Sequence, residues 1–431
     1  MDYQKEPHGI FMLVDNKSFY ASVEAVERGL NPLRAVLIVM SETANTGTGL
    51  VLASSPRAKK EFGITNVDRE YQIPHSPDLL VVPPRMNLYI EKNLAINDIF
   101  KRFANEVCPY SIDESILDMT NTWQLFGETP LAVAKRIQKT IRHELGLYTT
   151  IGIGENPLQA KLALDLIAKH DKDLVGTLSY SSFPRQIWPI TDLTKVWSIG
   201  ERTAHHLHRL GINSMGDLAH SDPYELKAEM GMIGTQLYAL SWGIDRSHLT
   251  ATVPVKDKSW SNSQVLPRDY RSQDEIELVI KEIGEQVTSR MRHHGQAASR
   301  ISLAIGFSAA AAQEAGKWGF AHDHSLGAPT ADSRVLVAEL IAIFRRYWQG
   351  ETVRNVMVAF SKLAPHTGQQ LSLLSPVHQQ IKSYRANEVI DDLRDRFGPT
   401  ALVYASSLKR GGTMIARAGL VGGHNGGNAL S

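Results

Sequence analysis

Apolar and polar positions alternate with two different periods along the chain, and these periods predict a mixture of strands and helices. Short apolar runs bounded by turn residues indicate strands, and apolar positions three and four apart indicate helices. The strand-like runs are 10–14, 35–40, 49–53, 148–154, 300–307 and 353–360, and the helical patterns are 54–63, 130–145, 274–292, 333–349 and 385–397. The pattern therefore predicts an α/β (α+β) fold.

The first strand-like run ends in a lone acid, Asp15, and an amphipathic helix with Phe19 and Val23 on its apolar face follows at once. Acidic residues at the end of a buried strand are often catalytic or ligand-binding, because the strand fixes the backbone while its end opens to solvent. The structural alternative is that Asp15 only caps the helix.

A second acidic site lies in Ser111-Ile112-Asp113-Glu114-Ser115, between two apolar runs. Neighbouring residues of a strand point to opposite faces, so Asp113 and Glu114 can address one centre only at a tight reversal. An exposed turn with two solvated acids is the alternative. Together with Asp15 they form a set of hard oxygen ligands that suits Mg²⁺ or Mn²⁺, and two such ions suit phosphoryl transfer.

Composition indicates a globular chain of two to four domains, with 431 residues, 43% hydrophobic and 21% charged. No apolar run is long enough to span a membrane, and the first residues lack the apolar core of a signal peptide. The single cysteine, Cys108, excludes an internal disulfide. These features predict a cytoplasmic protein with no membrane partner.

Charge is unevenly distributed, although the net charge is only +1. Residues 1–250 carry a net charge of −4 and residues 251–431 one of +5. A protein that follows a phosphate backbone needs a basic track, which the sequence predicts mainly in the C-terminal part.

The run Asp15-x-x-x-Phe-Tyr-Ala-Ser-Val-Glu24 and the run Tyr110-Ser-Ile-Asp-Glu-Ser115 together resemble the palm motifs of Y-family, lesion-bypass DNA polymerases. The similarity is greatest to the UmuC-type branch, particularly UvrX-like proteins of Gram-positive bacteria. It implies a DNA-directed DNA polymerase that performs translesion synthesis in DNA repair, as part of an SOS-type response to DNA damage. It also implies the right-hand architecture of palm, small fingers, helical thumb and α+β little finger.

The resemblance divides the chain into five ranges. They are palm and fingers at 1–185 (fingers about 30–85), a thumb with a helix-hairpin-helix at 186–245, a linker at 246–258, the little finger at 259–364, and a clamp-binding peptide, helix and flexible tail at 365–431.

For the catalytic centre the resemblance implies two Mg²⁺ ions, with Mn²⁺ as a substitute. Their ligands would be Asp15, Asp113 and Glu114, which are also the catalytic residues, and the carbonyl of Asn16. Tyr20 would be the steric gate against a 2′-hydroxyl.

The nucleotide-binding residues would be Phe19, beside Tyr20, and two lysines. Ordinary core packing is the alternative for both aromatic rings. Basic residues near the helix start at 54–63 suggest a nearby anion, and the family pattern selects Lys59, with Arg57 and Lys60 left open. Lys161 would contact the triphosphate, unless its head simply reaches water.

Further positions follow from the same resemblance. The DNA-binding residues would be Ile199, Gly200, Arg202 and Arg268. A short peptide would dock on the sliding clamp through Gln370, Leu371, Leu373 and Leu374. The implied partners are primer–template DNA, deoxynucleoside triphosphates, the clamp and accessory subunits of the kind that some UmuC-type relatives need. The protein would be nucleoid-associated when on DNA, and its Gly-rich tail at 422–427 is predicted to be mobile.

Two other functions fit part of this pattern. A palm-type nucleotidyl cyclase uses similar acids, but has no use for a helix-hairpin-helix or a clamp peptide. A catalytically silent DNA- or clamp-binding factor would not need all three carboxylates.

Overall fold

The computed structural model describes residues 2–42, 49–251, 255, 257–366 and 376–426. The strands are β1 (Phe11–Asn16), β2 (Leu37–Ser41), β3 (Leu50–Ser54), β4 (Leu80–Val82), β5 (Glu106–Pro109), β6 (Glu114–Asp118), β7 (Thr149–Gly154), β8 (Val175–Thr177), β9 (Ser259–Tyr270), β10 (Gln296–Phe307), β11 (Gly319–Thr330), β12 (Val353–Pro365), β13 (Leu420–Val421) and β14 (His424–Asn425). The helices are α1 (Phe19–Glu27), α2 (Pro56–Phe62), α3 (Met86–Phe100), α4 (Pro130–Leu145), α5 (Pro157–Leu166), α6 (Phe183–Ile187), α7 (Glu201–Arg209), α8 (Met215–His220), α9 (Pro223–Met230), α10 (Met232–Ser241), α11 (Gln273–His293), α12 (Ala309–Ala315), α13 (Ser333–Tyr347), α14 (Val377–Phe397) and α15 (Met414–Arg417). The predicted mixed α and β content is confirmed, and the domain limits stay a prediction.

A five-stranded sheet of order β5-β6-β1-β7-β8 forms the centre of the predicted palm. Strand β1 pairs antiparallel with β6 and β7. Its side chains alternate between two cores: Met12 and Val14 pack with residues of α3 and α4, whereas Leu13 packs with residues of α5. Asp15 follows Leu13 by two residues and therefore lies on the α5 face of the sheet.

Two glycines of β7 explain why α5 can approach this sheet so closely. A Cβ atom on Gly152 would lie 2.1 Å from the carbonyl oxygen of Ala160, and one on Gly154 would lie 2.3 Å from the Ala160 nitrogen. The Gly-x-Gly run is therefore a packing feature rather than a phosphate-binding loop.

The predicted fingers hold a three-stranded sheet of order β3-β2-β4, followed in the chain by α3. Helix α2 begins as the sequence predicts, because the Ser55 hydroxyl accepts a hydrogen bond from the Ala58 amide and Pro56 occupies the first turn. This start places the basic residues of α2 near the end of β3.

Helices α6 to α10 form the predicted thumb and pack directly on the palm. Phe183 and Leu207 share one buried cluster with Leu158 and Leu162 of α5. Helix α5 is thus covered by the sheet on one side and by the thumb on the other.

The predicted little finger is a four-stranded antiparallel sheet of order β11-β10-β12-β9, with α11 and α13 packed on it. The strand-like runs predicted from the sequence do not include β11, the edge strand that carries His322, Asp323 and His324. Most residues of this strand are exposed. An edge strand with few buried positions lacks the apolar alternation that signals a strand.

The segment after the little finger corrects another prediction. Helix α14 begins at Val377, earlier than the predicted 385, and residues 399–426 fold back over α11. Leu420 to Asn425 form a two-stranded hairpin, so a mobile tail starting at Gly422 is wrong for the described residues. The predicted clamp peptide lies outside the described residues.

A partly buried acid between α11 and this segment should make the stability of the protein depend on pH. Burial raises the pKa of Glu285 from 4.5 to about 7, although Arg394 and a hydrogen bond from Tyr404 oppose the shift. The folded state therefore favours the protonated acid. Its stabilising effect is present below the unfolded pKa and is lost as pH rises from about 4.5 through 7.

The expected loss is on the order of 2 kcal/mol, after allowance for solvent screening. Thermal melting from pH 4.5 to 8 checks it, with Glu285→Gln as the comparison. The variant should lack this part of the pH dependence, and equal slopes in the two proteins would contradict the assignment.

No helix among the described residues is both long and apolar enough to cross a membrane.

Candidate active site

The acids predicted from the sequence come from two adjacent strands of the palm sheet. Asp15 on β1 lies directly opposite Glu114 on β6, and directly paired residues of antiparallel strands share one face. Asp113 lies in the turn between β5 and β6, where its carbonyl accepts a hydrogen bond of 2.9 Å from the Asn16 amide. The predicted tight reversal at the acidic pair is confirmed.

The turn is held from two sides. The Asn93 side chain of α3 donates a 2.8 Å hydrogen bond to the Ile112 carbonyl. The Ser111 hydroxyl donates to a carboxylate oxygen of Asp113 at 2.6 Å, and the side-chain amide of Asn16 donates to the Asp113 carbonyl at 3.0 Å. The position of Asp113 therefore depends on the sheet, the helix and the turn together.

A pocket of about 610 Å³ opens at this end of β1. Two carboxylates, those of Asp15 and Asp113, line it together with three cationic side chains, Lys17, Lys59 and Lys169. Such a pocket can hold an anion that carries its own cations, because acids would bind the cations and lysines the anion.

Lysines and acids alternate at four-residue intervals along α5 and just beyond it. The Lys161 ammonium lies 2.7 Å from a carboxylate oxygen of Glu114 and 3.3 Å from one of Asp165. Lys169 lies 2.7 Å from Asp165 and 3.6 Å from Asp15. Lys169 therefore borders the pocket, whereas Lys161 is paired with Glu114 and does not line it.

The electrostatics of the pocket follow from burial and from these pairs. Burial raises the pKa of Asp15 to about 6, and the negative charges of Asp113 and Glu114 act in the same direction. Burial also lowers the pKa of Lys59. For Lys169 burial is outweighed by Asp15 and Asp165, which raise its pKa. A cation placed between the acids would therefore be stabilised.

The donor set fits a hard divalent cation only in part as it stands. Asp15 and Asp113 share the pocket, and the side-chain oxygen of Asn16 is buried without a hydrogen-bond partner among the described residues. Glu114 instead contacts Lys161. Within the described ranges no three His, Cys, Asp or Glu side chains are grouped closely enough to hold a metal. The ligand roles stay a prediction, and Glu114 must exchange its lysine partner to take part.

Two aromatic side chains at the start of α1 line the same pocket. Phe19 is almost fully buried in the palm core, as the packing alternative requires, yet it reaches the pocket wall. Tyr20 is partly exposed and stacks on Tyr89 of α3, with ring centres 4.3 Å apart and an interplanar angle of 14°. Tyr20 thus presents a supported ring to the pocket.

The ring of Tyr89 is in turn fixed by a buried acid. Its hydroxyl donates a 2.8 Å hydrogen bond to Glu24, which is fully buried. Glu24 also accepts hydrogen bonds from Arg85, at 2.7 and 3.0 Å, and from Arg28. Burial opposes ionisation of Glu24, but these hydrogen bonds lower its pKa below the ordinary value. Glu24, present in the first motif, is therefore a structural anchor of the pocket wall.

The three basic candidates on α2 are separated by their positions. Lys59 lines the pocket, and its ammonium lies 3.5 Å from the Ser18 hydroxyl. Arg57 pairs with Glu61 at 2.6 Å, and Lys60 is exposed outside the pocket. The arrangement favours Lys59 for contact with an anion.

The predicted hairpin in the thumb is a tight turn before α7. In this turn Ser198 has a φ of 76°, a conformation that costs a non-glycine residue energy. Gly200 precedes the first turn of α7 and is exposed together with Arg202, whereas Ile199 is buried in the thumb core. Any DNA contact at Ile199 must therefore come from its backbone.

Arg268, the DNA-binding candidate of the little finger, lies on β9. Its guanidinium is 2.7 Å from Glu275 and stacks over Tyr270 at 4.3 Å. The side chain is only partly exposed, so its role in DNA binding stays a prediction.

Besides Lys17, the cationic pocket residue that the sequence interpretation missed is Lys169. It follows Lys161 by eight residues and Asp165 by four, a spacing that places all three on one side of a helix. This periodicity was the available signal.

The fold is that of the Y-family DNA polymerases. A solved structure described as "Y-family DNA polymerase chimera Dbh-Dpo4(243-245)-Dbh" superimposes with a TM-score of 0.67, covering 83% of this chain and 99% of that chain at 21% identity. This similarity shows the fold. The sequence profile of the impB/mucB/samB family matches residues 14–165, and that of the family's C-terminal domain matches residues 257–373.

The chain belongs to the impB/mucB/samB family, and within it to the UmuC-type, UvrX-like branch. A "Putative UV-damage repair protein UvrX" of Bacillus subtilis (strain 168) is 39% identical over 426 residues, covering 98% of this chain and 99% of the relative. A "DNA polymerase IV 2" of the same organism is 34% identical over 418 residues, covering 96% and 98%. The predicted family is confirmed.

Proposed function

We propose that this protein is a template-directed DNA polymerase that performs translesion synthesis in DNA repair. The observation that carries the proposal is the pocket in which Asp15 and Asp113 face Lys59 and Lys169 beside the Tyr20 ring. In this arrangement the acids suit divalent metal ions, the lysines suit the triphosphate that the ions accompany, and the ring suits a deoxyribose beside it. The names of the relatives, which include DNA polymerase IV and a UV-damage repair protein, support the same activity.

The proposed cofactor is Mg²⁺, as two ions for which Mn²⁺ can substitute. The donors would be the carboxylates of Asp15, Asp113 and Glu114 with the carbonyl of Asn16. Bound there, the metal supplies activation of the primer 3′-hydroxyl and charge neutralisation at the leaving pyrophosphate.

The residues of the chain have separate tasks in this reaction. Lys59 and Lys169 bind and orient the triphosphate through charge-assisted hydrogen bonds. Tyr20, held on Tyr89, leaves space for a deoxyribose and collides with a 2′-hydroxyl. The hydrogen-bonded turn keeps Asp113 in place, so little reorganisation is needed during the reaction.

Lys169, rather than Lys161, is expected to bind the incoming nucleotide. Lys169→Ala should raise the KM for a deoxynucleoside triphosphate and lower kcat/KM by about 10- to 100-fold, the effect of one lost charge-assisted hydrogen bond. Lys161→Ala should instead change the metal concentration needed for half-maximal rate, because Glu114 loses its partner. Single-nucleotide incorporation kinetics check both.

The matched control is Lys135→Ala, an exposed lysine of α4 that pairs with Asp173 and lies outside the pocket. It should leave both parameters unchanged. A larger rise in KM for Lys161→Ala than for Lys169→Ala would reverse the assignment.

The proposed partners are primer–template DNA and deoxynucleoside triphosphates. Gly200 at the start of α7 and Arg202 in its first turn are available to a DNA phosphate. The peptide Gln370–Leu374 is the proposed sliding-clamp contact, and accessory subunits are proposed by analogy with UmuC-type relatives. We place the protein in the cytoplasm, associated with the nucleoid while on DNA.

Primer extension tests the function directly. The purified protein with Mg²⁺ should extend a primer on an undamaged template and across an abasic site, and chelation of the metal should stop both. Extension that halts before the abasic site would remove the translesion part of the proposal. Absence of any extension, with clamp and accessory proteins also present, would remove the polymerase itself.

A further inference from the structure

The segment that precedes β1 runs across the palm to the end of the thumb. We call residues 2–9 the N-terminal strap. It contains one 3-10 turn, Tyr3–Lys5, and it ends at Gly9, whose amide donates a 2.8 Å hydrogen bond to the carbonyl of Glu155 between β7 and α5. The strap adds no strand to the palm sheet, so its contribution lies in the contacts that it makes.

The strap is bound to residues 242–246, which follow α10 and which we call the thumb end. The Tyr3 hydroxyl donates a hydrogen bond of 3.2 Å to the Trp242 carbonyl. The guanidinium of Arg246 donates to both carboxylate oxygens of Glu6, at 2.6 and 2.8 Å. Such a two-pronged pair fixes geometry as well as charge.

Glu6 is the strap residue whose surroundings point most clearly to this attachment. It is only 8% exposed, although the other residues of the strap are exposed or partly exposed. Hydrogen bonds from Arg246 hold the pKa of Glu6 below its ordinary value, against the opposing effect of burial. A buried carboxylate is costly unless a cation pairs with it, so loss of either partner should release the strap from the thumb end.

The strap is also attached to the palm. The Tyr3 ring packs on the ring of Tyr180, with centres 4.6 Å apart, and the Tyr180 hydroxyl donates to the Pro7 carbonyl at 3.1 Å. The two ring nitrogens of His8 lie 2.9 Å from the Glu155 carboxylate and 3.0 Å from the Tyr3 carbonyl. These contacts do not involve the thumb end, so the strap can hold the thumb end in place relative to the palm.

Helix α5 binds the thumb end as well. The side chains of Asn156 and Gln159 donate hydrogen bonds of 2.8 and 3.1 Å to the Gly243 carbonyl. The thumb end therefore has two sets of polar contacts, one to α5 and one to the strap. It is also the point where the predicted linker to the little finger begins.

We propose that the N-terminal strap restrains the thumb against the palm and thereby slows the release of primer–template DNA. This role rests on the proposed polymerase function. The thumb carries Gly200 and Arg202, the proposed contacts to a DNA phosphate, so its orientation determines how well they reach the duplex. No residue of the strap lines the active-site pocket, so loosening the strap should change DNA release without changing nucleotide binding.

Distance measurements between two spin labels test the restraint without DNA. The full-length protein with Cys108→Ser carries labels at Lys139→Cys on α4 of the palm and at Glu229→Cys on α9 of the thumb, both exposed positions. The distribution of distances should be narrow with the intact strap and wider in Glu6→Gln. Equal widths would overturn the proposal.

The dissociation rate of a fluorescent primer–template gives the second measurement. Glu6→Gln should raise this rate several-fold and leave the KM for a deoxynucleoside triphosphate unchanged. The direction is informative, because removal of a negative charge would by itself strengthen the binding of DNA. Arg246→Gln should have the same effect, and Arg246→Lys should restore most of the slow rate. The double variant Glu6→Gln/Arg246→Gln should be no faster than either single variant, because both remove the same pair.

Arg102→Gln is the matched control, because Arg102 pairs with Glu144 at 2.8 Å on the palm, outside the strap and the thumb. It should keep the wild-type dissociation rate. A rate that Glu6→Gln leaves unchanged or lowers would overturn the proposal, as would additive effects of the two single substitutions. Primer extension by the wild type is measured separately, so failure of the polymerase function is distinguishable from failure of the strap.

Discussion

Asp113→Ala should lower the rate of nucleotide incorporation by at least about a thousandfold, or some 4 kcal/mol in the activation free energy. Asp113 and Asp15 line the pocket, where their charges would bind the metal that activates the primer hydroxyl. Without Asp113 the remaining acids should bind metal weakly and in the wrong place. Primer extension under single-turnover conditions, with a titration of Mg²⁺, measures this loss.

The measurement needs a control for folding and for DNA binding. Asp118→Asn changes an acid at the other end of β6, away from the pocket, and should retain wild-type extension. Asp113→Ala should bind primer–template with nearly wild-type affinity, because Asp113 belongs to a solvent-accessible turn rather than to the core. Retained extension in Asp113→Ala would show that the catalytic acids lie elsewhere.

Tyr20→Ala should reduce discrimination against ribonucleotides by about 30- to 150-fold. The Tyr20 ring is supported by Tyr89, so a 2′-hydroxyl cannot displace it without disturbing the stacked pair. Fitting the extra 2′-hydroxyl against a packed ring costs about 2–3 kcal/mol. Removal of the ring should abolish this steric penalty. The ratio of kcat/KM for a deoxynucleotide and its ribonucleotide measures the change.

Tyr20→Phe is the matched control, since it keeps the ring and removes only the hydroxyl. It should retain most of the discrimination. If Tyr20→Ala and wild type select between the two sugars equally well, Tyr20 is a packing residue and another group excludes the ribose.

The acids were predictable because their chemistry is local. A strand that ends in Asp15 and a reversal that carries Asp113 and Glu114 are visible in the order of apolar and polar residues. The pairing of β1 with β6 then brings the acids to one end of the sheet. The acidic motifs and the strand pairing agree because the same few residues form the strand ends and carry the carboxylates.

The lysines were less predictable because their roles depend on long-range packing. A lysine on a buried helix face needs an anion, and the sequence does not show whether a ligand or a carboxylate of the protein supplies it. For Lys161 that anion is Glu114, placed opposite by the packing of α5 on the sheet. Lys169 reaches the pocket because α5 ends at Leu166 and the chain continues past Asp15.

The C-terminal hairpin was missed for a different physical reason. Its strands have two residues each, and it is held by the Gly426 carbonyl and by Val421 rather than by an apolar pattern. Glycine-rich sequence usually indicates disorder because it buries little surface. Backbone hydrogen bonds to a neighbouring helix leave no signature in composition.

The alternating charges of Lys161, Asp165 and Lys169 mean that the resting protein contains its own counter-ions. Glu114 and Asp15 each lie close to a lysine ammonium group. The negative charges of the empty active site are therefore balanced without a bound metal ion. When the substrate binds, we expect Lys169 to exchange a carboxylate partner for a phosphate, so that it need not first lose a shell of water. The charges of the empty site are thus already balanced by ion pairs within the protein. Keeping the site intact between reactions therefore costs little free energy.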